Sequence, residues 1–359
     1  MDNTRLKLNI ASFNFIKGVA MIVVVLGHTL NHYDIDRLAP LYPLIMLMHV
    51  LGEGANIVFL LVCGFQFKQK PAGVMLKKTI KQLIKPYLYV MLAITLVYPI
   101  RHRIEYGGWW YRTFLETMRW TLAFLFGTPE PGTVLWGIRL QWNCATWFLL
   151  ALFVAYNVLN LILKLKNEAV QFLLVALCAA LGYGLALVDL AYWCIPQGLL
   201  SVAFCYLGYL IHKYRLFDRM FSSPGIYAVL FFVSLYHILY GNFNMAHLEF
   251  NSFLLDYLGV ACLGLLILLM GISIGKYECV LTDWIKTIGV YTYWIICIHS
   301  FELAAFPWYR FNKLAPENYQ PVMFILEILL KAVIIGTICF VLKKMMLFNI
   351  QRKKKINGK

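Results

Sequence analysis

Acidic side chains are scarce in this sequence. The 359 residues carry 17 Asp and Glu against 32 Lys and Arg, and charged residues make up only 14%, where soluble domains average about 25%. A soluble globule of this size would have no polar skin to cover its core. The balance equally excludes a disordered or collagenous chain. Cysteine lacks pattern rather than number. The nine (Cys63, Cys144, Cys178, Cys194, Cys205, Cys262, Cys279, Cys297 and Cys339) are odd in count and scattered, mostly inside apolar runs. No C-x-x-C pair and no Cys/His cluster has zinc spacing, so they read as small apolar residues rather than a disulfide framework or a metal centre. No small-residue cleavage site follows the first apolar run. Polar Asn31, His32 and Asp34 do, so the N-terminus is not read as a cleavable signal. No clear internal repeat is visible, which weakens a transporter reading.

What is present is apolar surface. Hydrophobic residues reach 61%, against about 45–50% in soluble domains. A membrane-spanning helix needs about 20 mostly apolar residues. Such runs fall at 13–30, 43–66, 84–100, 144–163, 169–188, 193–212, 224–240, 254–275, 287–303 and 321–342. The expected fold is an all-α polytopic bundle of about ten transmembrane helices. Segment 101–143 alternates charges with Trp109, Trp110, Trp120, Trp136 and Trp142, and its stretch 114–127 reads as interfacial or re-entrant rather than spanning. With the N-terminus inside, alternate connections place 23 basic residues on the inner side and 8 on the outer, with Lys331 alone in mid-span. This asymmetry predicts that both termini are cytoplasmic. It also accounts for the net charge of +15 without nucleic acid, for which no binding fold is evident. Residues 1–345 form one membrane domain, and 346–359 a basic cytoplasmic tail that touches anionic lipid.

Ionisable groups inside spans are costly and are functional candidates by default. Lys17 and His28 lie eleven residues apart in the first run. That is three helical turns plus roughly 20°, so they share a face, separated by roughly 16 Å along the axis. Gly18 and Gly27 beside them permit close approach of a neighbouring helix or ligand. Two readings stand: a snorkelling lysine with a helix-packing histidine, or a channel with a cationic mouth for phosphate and an acid–base group deeper in. His299 and Glu302 share a helix face, as a satisfied pair or as an orienting group. Glu327 and Lys331 are spaced to neutralise each other. His32, His49 and Glu53 cluster near the outer ends of the first two runs, with Glu53 a possible partner for His28.

The run Lys17–His28, ending in VVVLGH, resembles the first-helix signature of the acyltransferase-3 superfamily, bacterial integral-membrane O-acyltransferases: a basic residue, ten intervening residues, then His. Asn56–Gly64 (NIVFLLVCG) resembles that family's second-helix phrase, with Cys63 in place of the usual serine. Thr146–Phe153 (TWFLLALF) is similar to its Trp-Phe-Leu helix, and Ile288–His299 (IGVYTYWIICIH) to its late phrase ending in His. Where the family has two arginines three apart before a proline, this chain has Lys78, Lys81 and Lys85 before Pro86. Lysine neutralises phosphate as a point charge without the planar bidentate contact.

The resemblance implies a multi-pass protein of the cell membrane. It would move an acyl group, acetyl by expectation, from acyl-CoA as donor substrate to a hydroxyl of a cell-surface or lipid-linked glycan, with no permanently bound cofactor. His28 is the expected general base, with Glu53 and His299 as further catalytic candidates. Lys17, Lys78, Lys81 and Lys85 are candidates for donor binding. His32, Trp109, Trp110 and Trp147 are candidates for acceptor binding. A glycan transporter without acyl transfer is the alternative.

Overall fold

The structure, a computed structural model, describes residues 10–357. In lipid every backbone polar group must be satisfied within its own segment, and the apolar runs accordingly fold as helices. In chain order these are α1 Ile10–Leu30, α2 Tyr42–Phe65, α3 Ala72–Thr79, α4 Lys85–Tyr106, α5 Trp110–Phe126, α6 Trp147–Ile162 and α7 Glu168–Leu187. There follow α8 Ile195–Lys213, α9 Leu216–Ser222, α10 Pro224–Tyr240, α11 Phe253–Ile274, α12 Val280–Ala305, α13 Trp308–Asn312 and α14 Gln320–Asn357. Prolines open α2, α4, α8 and α10, where a missing N–H costs nothing. The sheet content among the described residues is two short hairpins, Val134–Leu135 with Ile138–Arg139 and Phe243–Asn244 with Glu249–Phe250.

Among the described residues, nine helical stretches are long and apolar enough to cross a membrane, and ten if α9 and α10, bent by 89°, count as one. That matches the expected count. Two boundaries differ. The third span begins at Ala72 rather than 84 and runs to Tyr106, because a π-turn at Ile80–Ile84 joins α3 to α4. Lysines in a membrane sequence predict a connection, but here they stand on helix, Lys77 and Lys81 exposed and Lys78 half-buried. The last helix continues to Asn357, so residues 346–357 extend α14 rather than leaving it. Segment 110–126 is helical but is not a spanning candidate. It turns back along α4, where Tyr98 meets Trp120 at 5.3 Å and Thr95 meets Thr121 at 3.2 Å.

The bundle centres on α1, which packs along α2, α11 and α12. Close approach to α12 depends on two glycines. A Cβ on Gly18 would sit 2.0 Å from the Ile285 carbonyl oxygen, and one on Gly289 1.7 Å from that of Asn14. Gly27, expected to play the same part, meets nothing within 4 Å and instead borders a cavity.

Cys279, just before α12, supplies a native probe of orientation. It is exposed, while the other eight cysteines are buried or half-buried. Hydrogen bonds at the start of α12, chiefly from the Thr282 backbone, hold its thiol below the usual range, so the reactive thiolate is populated nearer neutral pH. A membrane-impermeant maleimide is expected to label Cys279 in inverted vesicles and not in intact cells. Labelling in intact cells would reverse the proposed orientation.

Candidate active site

A cavity of about 590 Å³ runs between α1, α2, α6 and the hairpin at 243–250. The four sequence phrases converge on it. Lys17, Gly27 and His28 come from the first, Asn56 and Cys63 from the second, Trp147 and Phe148 from the third, and Thr292 and Ile296 from the fourth. Three helical turns separate Lys17 from His28 along one wall, as their spacing predicts. Trp142 stands edge-on to the His28 ring at 6.1 Å and borders the same space.

His28 is held from behind. Its Nδ1 lies 3.0 Å from Nε2 of His299, 271 residues away in sequence. His299 Nδ1 lies 2.7 Å from Glu302 Oε1, and Trp308 Nε1–H donates to Glu302 Oε2 at 2.7 Å. The carboxylate can only accept, so His299 donates from Nδ1 and accepts at Nε2. His28 therefore donates from Nδ1, and its Nε2 lone pair is left for a substrate proton. One carboxylate thus orients two imidazoles in series.

Lys331 joins this array to a second carboxylate. Its ammonium lies 3.6 Å from Glu302 Oε1 and 3.0 Å from Glu327 Oε1, above the Trp308 ring at 4.8 Å. Glu327 also accepts from His32 Nδ1–H at 2.7 Å and the Tyr33 hydroxyl at 2.9 Å. His299, Glu302, Glu327 and Lys331 are all fully buried, at 0% exposure. Lys331 and His32 share Glu327, while Glu302, through His299, is the carboxylate placed to stabilise a transient imidazolium at His28.

Other expected site residues fall elsewhere. Glu53 borders the cavity, but its partners are His237 at 2.9 Å and His49 at 3.4 Å. The partner of His28 is His299. His32 belongs to the Glu327 cluster and is not among the cavity-lining residues. Trp147 is buried on the cavity wall. Trp109 and Trp110 are 84% and 69% exposed at the start of α5, off the cavity, with Arg103 over the Trp110 ring at 4.8 Å. That arrangement suits interfacial anchoring. Lys78 is half-buried, and Lys81 and Lys85 are exposed. None of the three borders the cavity, so a donor bound there would have to extend past its mouth to reach them. Trp308 and Tyr33 escape sequence reading. Neither shows a periodic pattern, and the Tyr33 contact to Glu327 closes over 294 residues.

Over residues 10–344 the sequence matches the family model described as an acyltransferase domain. No curated protein and no solved structure matches the chain significantly. The family match covers nearly the whole of a multi-helix membrane protein and includes every residue of the His28–His299–Glu302 array, so the chain belongs to the acyltransferase-3 family of membrane acyltransferases.

Proposed function

We propose that the protein transfers an acyl group, most simply acetyl, from acyl-CoA to a hydroxyl of a cell-surface or lipid-linked glycan, with His28 as general base. The observation that carries this reading is the hydrogen-bonded series His28–His299–Glu302, which leaves one imidazole nitrogen facing a cavity that also holds Lys17. A sugar hydroxyl is a poor nucleophile at neutral pH. As its oxygen attacks the thioester carbonyl, His28 Nε2 takes the proton. The new C–O bond forms, the C–S bond breaks, and the proton passes from His28 to the departing sulfur, which leaves as free thiol. His299 acts through His28, and Glu302 through His299. Both are positioning residues that stabilise the imidazolium while it lasts.

The donor phosphates are assigned to Lys17 at the cavity's other end, with the lysines of α3 and α4 as further charge near the mouth. Lys17→Ala is expected to raise the apparent donor constant more than it lowers turnover, because phosphate charge is the same in ground and transition states. Lys17→Arg should be tolerated. A change in turnover alone would move Lys17 into the chemistry.

Purified protein separates acyl transfer from glycan transport. Release of CoA thiol that requires both glycan and His28 supports the enzyme. Movement of glycan across a bilayer without thioester consumption supports a transporter.

A further inference from the structure

A second carboxylate–imidazole array stands on the cavity wall, apart from the His28 series. Glu53 Oε2 lies 2.9 Å from His237 Nε2. On the far side of that ring, Asp256 Oδ1 lies 3.8 Å from Nδ1. The His237 side chain is fully buried, at 0% exposure, whereas that of Glu53 is 16% exposed and borders the cavity. The imidazole sits in a socket made by missing side chains. A Cβ on Gly241 would fall 2.2 Å from His237 Nδ1, and one on Gly259 2.5 Å from its Cβ. The ring therefore has little room to turn.

Asp256 has a second task. Its carboxylate accepts backbone N–H bonds from Asn242 at 3.2 Å, Asn251 at 2.8 Å and Ser252 at 2.6 Å. It thus pins both sides of the hairpin loop that puts Asn242 and Asn244 on the cavity wall. One aspartate fixes the loop, and beside it the His237 ring, confined by Gly241 and Gly259, stands 2.9 Å from Glu53 Oε2. A histidine–glutamate pair serving packing alone would be enclosed. This carboxylate instead borders the cavity beside Asn242 and Asn244, its other oxygen 3.4 Å from the exposed His49.

We propose that Glu53 anchors the acceptor, its carboxylate accepting hydrogen bonds from hydroxyls neighbouring the one that reacts, with His237 and Asp256 as positioning residues. This rests on the acyl-transfer reading above. A carboxylate only accepts, and O–H donors to it form strong charge-assisted bonds. A polyanionic CoA donor would be repelled by Glu53 and attracted by Lys17, so the chemistry assigns Glu53 to a neutral polyhydroxyl acceptor.

The test uses full-length purified enzyme, acetyl-CoA labelled in its acetyl group, and membranes from a host lacking the gene as the source of acceptor. Base-labile label in the membrane fraction is measured while donor and membranes are varied separately. If wild type incorporates nothing, the acyl-transfer reading itself fails. If it does incorporate, Glu53→Gln, close to isosteric, is expected to raise the half-saturating amount of membranes by about 10–100-fold. The half-saturating acetyl-CoA concentration should stay within about twofold, since donor contacts are spared. His237→Gln, which keeps an N–H donor, should recover part of what His237→Ala loses. Should His237→Ala fail to fold, Glu53→Gln decides alone. A lowered unfolding temperature with unchanged acceptor dependence, or a shift in the donor constant instead, would overturn the proposal.

Discussion

His28→Ala is expected to lower acyl transfer by about 10²–10⁴-fold, the scale of losing a positioned general base. Membrane insertion and donor affinity should hardly change, because the phosphate contacts assigned to Lys17 lie three helical turns away. The hydrogen-bonded series adds a sharper expectation. Residues that act as a unit are not additive. His299 touches Glu302 on one side and His28 on the other, so it works only through His28. The double variant His28→Ala/His299→Ala should then be no slower than His28→Ala alone. Steady-state rates of the two single variants and the double decide this. His28→Ala activity within about twofold of wild type would remove the residue from the chemistry. A double variant markedly slower than His28→Ala would give His299 a separate role.

Lys331→Met is expected to be the most destabilising substitution in the site. The ammonium faces two carboxylates, Glu327 at 3.0 Å and Glu302 at 3.6 Å, with all three side chains at 0% exposure. Removing one partner of a buried charge cluster costs about 3–5 kcal/mol, mostly because the other charge is left uncompensated. Adding Glu327→Gln removes one stranded charge, and its amide oxygen can still accept from His32 while its NH2 donates to the Tyr33 hydroxyl oxygen. Lys331→Met/Glu327→Gln should therefore recover much of the loss. Thermal unfolding in detergent measures both variants. A Lys331→Met protein as stable as wild type would mean that the cluster is not held by its charges.

The bundle was legible because lipid leaves a chain few options. Long apolar runs must be helices, and their number, with the neutral spacing of Glu327 and Lys331, could be read without coordinates. The shared face of Lys17 and His28 was legible for the same reason: helical geometry converts an eleven-residue spacing into one wall of a cavity. His299 and Glu302, three apart, bond as their spacing allows. What escaped were contacts between helices. Glu53 and His28 sit on consecutive spans, yet His28 finds His299, and Glu53, besides its helix neighbour His49, finds His237 far along the chain. Residue type could not choose among several buried histidines. The early start of the third span escaped because lysines signal a connection in a membrane sequence, and a π-turn that continues the helix beneath them has no compositional mark. The exposed Trp109 and Trp110 have rings suited to stacking on sugar, but their place on α5 lies off the cavity.

Mass spectrometry of cell-surface glycans, compared with and without the gene and with His28→Ala in its place, bears most directly on acyl transfer to a glycan. A sugar that carries the mass of one acetyl group, lost on mild base, is expected only where the wild-type gene is present. Glycans identical in all three cells, or an acyl mass that persists with His28→Ala, would contradict it.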